Sequence, residues 1–91
     1  MSTKILSEAE KTKIVSSVYS NVKKLKIATA VLKLKESTAN ELSPQIGIKA
    51  NLITTYLKEM EEAGVMKSRR ESYFIYYSLT EFGEKIVTLF N

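Results

Sequence analysis

The 91-residue chain has no cysteine, no histidine, one proline and three glycines. Without cysteine there are no disulfides and no thiol redox sensing. Without either residue, zinc sites of the usual ligand types and imidazole acid/base chemistry are excluded as well. Most enzyme mechanisms go with them. No Gly-rich loop, nucleophile with its base, or metal-ligand set stands elsewhere, and the carboxylates lie on solvated helix faces, so the chain reads as a non-enzyme that needs no cofactor and no metal. Long apolar runs are also missing: residues 1–6 lack the core of a secretion signal, and the charge-free segment 72–80 is too short to span a bilayer. A cytoplasmic protein with no membrane partner is the expectation.

What is present is ordinary globular material, 44% apolar and 26% charged. A chain of this length forms one domain, 1–91, and buries only about 60 to 65% of its unfolded surface, so a second subunit would help it. The net charge of +4 is unevenly placed. Residues 1–36 carry eight Lys against three Glu, residues 37–64 two Lys against four Glu, and residues 65–79 three cations against Glu71. Two basic regions thus flank an acidic middle, a pattern that suits a phosphate backbone touched at separate points, although a basic helix is more commonly a solvated face.

Ser7 followed by Glu10 forms a capping box that starts a helix at Glu8. Val15, Val18, Val22, Leu25 and Leu32 then recur at helical spacing to about Leu34. One helix of that length would be more than twice the average, and Asn21 is a good N-cap, so the pattern favours a break there. Lys35, Glu36 and Ser37 make a short connector or a one-rung strand. Thr38 and Glu41 form a second capping box for a helix over 39–46, stopped by Gly47, with Ile48 a buried turn residue. Another helix follows over about 49–63, with Ile53, Tyr56, Leu57 and Met60 on one face and Gly64 as its stop. After Gly64 the period changes from 3.6 to 2: a strand from Val65, a polar tip at Arg69, Arg70 and Glu71, and a second strand over 72–79 with Ile75, Tyr77 and Leu79 inward. Thr80 caps a last helix over 81–90, with Phe82, Ile86, Val87 and Phe90 apolar.

Three segments carry a resemblance: Thr38-Ala39-Asn40-Glu41-Leu42 with Ile46-Gly47-Ile48, then Leu57-Lys58-Glu59-Met60-Glu61-Glu62-Ala63-Gly64-Val65-Met66, then Tyr76-Tyr77-Ser78-Leu79-Thr80-Glu81-Phe82-Gly83. Their order and spacing resemble the winged helix-turn-helix transcription regulators of bacteria and archaea, the MarR/ArsR-like superfamily. The match spans residues 22–90, and 8–20 looks like an added N-terminal helix. The resemblance implies an α+β, mainly α fold with a two- to three-stranded wing hairpin. It also implies a helix that enters the major groove of double-stranded DNA, a wing on the neighbouring backbone or minor groove, and a homodimer built from the terminal helices.

Carried over residue by residue, the groove-facing positions are Lys49, Ala50, Asn51, Thr54, Thr55 and Lys58, and the wing contacts are Lys67, Arg69 and Arg70. Asn51 suits adenine, the threonines a base edge or thymine methyl, and the lysines phosphate or guanine. Ile14, Val18, Phe82, Val87 and Phe90 are the expected subunit contact. Phe74 and Tyr76 on the outer hairpin face either cover the domain or add to that contact. Lys23, Lys24, Lys26, Lys33 and Lys35 are either a solvated face or a second backbone contact. Three features depart from the family pattern. Thr55 stands where many relatives carry Arg, which weakens guanine reading. Pro44 falls inside the helix over 39–46 and should bend or shorten it, or else start a shorter helix with Ser43 as N-cap. Glu59, Glu61 and Glu62 leave only the first two turns of the reading helix able to approach phosphate. The rival readings are an architectural protein coating DNA with little sequence preference and a winged-helix protein-interaction module.

Overall fold

The chain runs α1 (Glu8–Ser20), α2 (Val22–Leu34), α3 (Ala39–Ile46), α4 (Ala50–Glu62), β1 (Met66–Glu71), β2 (Phe74–Leu79) and α5 (Glu81–Thr88) in the computed structural model, which describes residues 7–89. Residues 1–6, read for a secretion signal, and Phe90, read as a subunit contact, lie outside the described residues.

Local chemistry sets the boundaries. The Ser7 hydroxyl accepts from the Glu10 N–H at 3.2 Å while the Glu10 carboxylate accepts from the Ser7 N–H at 3.1 Å, so two backbone donors that a helix start leaves unbonded are satisfied. Thr38 and Glu41 repeat the device at 3.2 and 3.0 Å. The break between α1 and α2 falls at Asn21, whose extended backbone turns the chain and whose side chain accepts from the Lys24 N–H at 3.1 Å. Pro44 does not shorten α3. It sits two residues before the end, where it removes a single helical bond, and Gly47 at φ 68 closes the helix with its N–H on the Ser43 carbonyl at 3.0 Å. Ser43 is no N-cap; its hydroxyl donates to the Ile48 carbonyl at 2.6 Å and fixes the turn between α3 and α4. Ile48 itself is only half-buried.

Around α2 the other helices and β2 assemble. Ile27, Ala28 and Val31 of α2 meet Leu42 of α3, Ile53, Leu57 and Met60 of α4, Val65 and Met66, Tyr77 and Leu79 of β2, and Ile86 and Val87 of α5. Each large aliphatic group here gains about 1.5 to 3 kcal/mol over an exposed one, so the orientation of α4 is set by its buried face. The added helix α1 contributes Val18 to the same core and fastens to α5, where the Tyr19 hydroxyl donates to the Ile86 carbonyl. Gly83 lies inside α5, as the helical pattern over 81–90 anticipates. A Cβ there would lie 2.1 Å from the Val65 carbonyl oxygen, so its role is close approach of backbones.

The hairpin differs from expectation at its tip. β1 and β2 pair antiparallel from Met66↔Leu79 to Glu71↔Phe74, so the turn is Ser72 and Tyr73, with Ser72 at φ 57. Arg69 and Arg70 therefore lie within the ladder and not at the tip. Their polarity reflects a solvent-facing strand rather than a loop. Ser37 adds one rung beside β2, exchanging bonds of 3.0 and 2.8 Å with Tyr77, as the connector reading anticipated.

Candidate nucleic-acid interface

The buried stripe of α4 fixes what its opposite face presents. With Ile53, Leu57 and Met60 inward, Asn51, Thr55 and Lys58 follow at i, i+4 and i+7 and are exposed, Lys49 is exposed at the N-cap, and Ala50 and Thr54 are half-buried beside them. The Thr54 and Thr55 hydroxyls donate to the carbonyls of Ala50 and Asn51 at 3.0 and 3.1 Å. Their protons are thus spent inside the helix, and what remains outward is lone pairs and methyl groups. These suit base amino groups and thymine methyls. Lys49 offers no side-chain acceptor to the helix start, and the Asn51 Oδ1 accepts from the Leu52 N–H at 2.9 Å, leaving the Asn51 amide NH2 to face outward.

The acidic end of α4 is turned to internal use. Glu59 pairs at 3.0 Å with Lys24, which is only 14% exposed and lies 6.0 Å from the Tyr56 ring centroid. Lys24 therefore ties α2 to α4. Glu61 accepts from the Ser68 hydroxyl at 2.6 Å, joining α4 to β1. Lys23, Lys26, Lys33 and Lys35 remain exposed on the surface.

On the wing, Lys67 and Arg70 are exposed and stand opposite Ser78 and Ile75. Arg69 is different. Its Nε and one terminal nitrogen donate to the two Glu36 carboxylate oxygens, each at 2.7 Å, its other terminal nitrogen donates to Glu71 at 2.6 Å, and the guanidinium lies 4.6 Å from the Tyr76 ring centroid. Hydrogen bonding from Arg69, more than its charge, holds the Glu36 carboxyl below the usual range, and the carboxylates in turn hold the guanidinium more firmly protonated. Burial raises the Tyr77 phenol, and the Glu61 charge adds to it.

A lowered carboxyl value means the Glu36–Arg69 pair is complete above about pH 4.3, the unfolded value, and loosens only as pH falls through the lower folded value. The chain has no histidine. Duplex binding is accordingly expected to stay flat between about pH 6 and 8, where no unperturbed side chain of this composition titrates. A titration series showing more than about a threefold change over that interval would contradict it, since about 0.5 of a pKa-unit shift is the least such coupling requires.

Two features went unseen in the sequence. Tyr73, 94% exposed, forms the true wing tip beside Phe74, which is 53% exposed; only the count of paired positions in the ladder reveals it. The expected subunit contact also needs correction. Val18 and Val87 are each 2% exposed inside the chain's own core, while Ile14 and Phe82 are half-buried. Apolar surface remains instead at Val22, Leu34 and Leu89. Among the described residues there is no group of three or more potential metal ligands, and no helix is long and apolar enough to cross a membrane.

No protein-family model and no curated protein matches the sequence. Solved structures do match. The transcriptional repressor PagR of Bacillus anthracis superposes with TM-score 0.77 at 23% identity, covering 91% of this chain and 95% of that one. The transcriptional repressor BigR from Xylella fastidiosa gives 0.73 at 25% identity, with 86% and 81% covered. A MarR variant from E. coli complexed with operator DNA gives 0.70 at 15% identity, with 87% and 61% covered. The chain has the winged helix-turn-helix fold of MarR/ArsR-type regulators.

Proposed function

We propose that this chain is a transcription regulator that binds double-stranded DNA, with the first two turns of α4 in the major groove and the wing on the adjoining backbone. The observation that carries the proposal is the exposed polar face Asn51, Thr55 and Lys58, flanked by Lys49 at the start of α4, with Lys67 and Arg70 on the neighbouring hairpin. It occurs in a fold shared with a regulator solved on its operator. The chain is read as a cytoplasmic non-enzyme that uses no metal, in keeping with neighbours that are repressors.

One chain supplies one reading helix, whereas operators of such proteins present half-sites about 34 to 36 Å apart, so a homodimer follows. Its contact draws on Ile14 and Phe82 and on the exposed Val22 and Leu89 in place of the buried Val18 and Val87. A monomeric mass by light scattering at micromolar concentration would end the dimer without touching the DNA reading.

The absence of any Arg on α4 supports modest sequence discrimination. In vitro selection from a random duplex pool at two salt concentrations tests this. Recovery of an inverted-repeat motif is expected; uniform retention of all sequences with a steep salt slope would favour an architectural role.

A further inference from the structure

We propose that Glu36, an acidic residue on the connector before α3, is a positioning residue for duplex binding: it braces the wing through Arg69, leaving Lys67 and Arg70 to meet phosphate. This inference rests on the duplex-binding reading. Arg69 starts on β1, and Glu36 lies beyond β2, beside the Ser37–Tyr77 rung. The guanidinium crosses the outer face of β2 above Tyr76, and three of its nitrogens are spent on Glu36 and Glu71. One positive charge faces two carboxylates there, so the cluster offers phosphate no net attraction, and a phosphate contact would require opening a bidentate pair.

The position of the brace explains its use. The ladder meets the body at the Ser37–Tyr77 rung, opposite Ser68, and the pairs beyond it are Arg69↔Tyr76, Arg70↔Ile75 and Glu71↔Phe74. A two-stranded ribbon is marginal by itself. Arg69 and Glu36 fasten it at the first pair past the rung, which sets the angle at which Arg70 and Tyr73 are presented.

This reverses the ordinary expectation for a carboxylate near DNA, whose removal should tighten binding. Fluorescence anisotropy with a random duplex across a salt series tests it in the wild-type chain and in Glu36→Gln, Arg69→Ala and Arg70→Ala. Glu36→Gln and Arg69→Ala are each expected to weaken binding about fivefold, the scale of one exposed ion pair, with an unchanged salt slope and no further loss when combined. Arg70→Ala is expected to lower the slope by about 0.9, the value of one phosphate contact. A slope reduced by about 0.9 in Arg69→Ala, or tighter binding by Glu36→Gln, would overturn the brace. Amide exchange separates this from the function itself. Faster exchange at Arg69 and Tyr76, the hydrogen-bonded pair beside the brace, in Glu36→Gln, with α4 unaffected, is expected whether or not the chain binds duplex, and unchanged rates there defeat the brace. If the wild-type chain binds no duplex at low salt, the functional reading fails while exchange still decides the brace.

Discussion

Gly83→Ala is expected to lower the melting temperature by about 15 °C, the equivalent of roughly 3 kcal/mol in a domain of this size. Helix propensity alone gives the opposite sign: alanine for glycine inside a helix stabilises by up to about 1 kcal/mol. The packing decides. An added Cβ would fall 2.1 Å from the Val65 carbonyl oxygen and 3.0 Å from the Val65 carbonyl carbon and a Leu79 methyl. The carbonyl has no freedom to retreat, because it accepts from the Thr80 N–H at 3.0 Å, and the Thr80 hydroxyl holds the same turn by donating to the adjoining Gly64 carbonyl at 2.6 Å. The same hydroxyl accepts from the Gly83 N–H at 3.0 Å and so starts α5. Relieving the clash means undocking α5 from the turn after α4. Gly47 and Gly64 meet nothing within 4 Å and cost only their positive φ, so alanine there is expected to lose about 1 kcal/mol. Differential scanning calorimetry on the three variants measures the ranking; a Gly83→Ala protein as stable as wild type would refute the packing account.

Lys49→Ala combined with Lys58→Ala is expected to weaken duplex binding about fiftyfold near 0.1 M salt and to reduce the salt slope by about 1.8, two phosphate contacts' worth. Both side chains are exposed at the start and on the open face of α4, and neither enters an ion pair among the described residues, so the melting temperature should hold. Lys24→Ala is the contrasting case. It unpairs Glu59 and uncovers Tyr56, so it is expected to cost stability while leaving the slope unchanged. If the two responses were exchanged, the cations facing DNA would be those of α2, not α4.

Much of this arrangement was legible in the residues. Both capping boxes, the break at Asn21 and the stop at Gly47 are local effects, settled within a few positions by hydrogen bonds the chain makes with itself. What the sequence concealed was long-range. The partner of Arg69 lies 33 positions away, so a cation that looked free is bound. The polar run Arg69, Arg70 and Glu71 resembles a loop because a solvent-facing strand has the same composition, and the real turn, Ser72 and Tyr73, contains no glycine or asparagine to mark it. Val18 and Val87 carry the pattern of a spare apolar face, but with so thin a core the terminal helices are drawn into it. Gly83 shows the same limit. The helical pattern over 81–90 runs through it and gives no sign that it serves a contact between backbones 18 positions apart, from Val65 to Gly83.

The central claim, that the start of α4 and the wing form one DNA-binding face, is tested most directly by following backbone amide resonances while a duplex is added at low salt. The account predicts shifts concentrated at Lys49, Asn51, Thr55 and Lys58 and at Lys67, Arg70 and Tyr73, with α1 and α5 largely silent. Shifts confined to α1 and α5, with the first two turns of α4 unmoved, would contradict it.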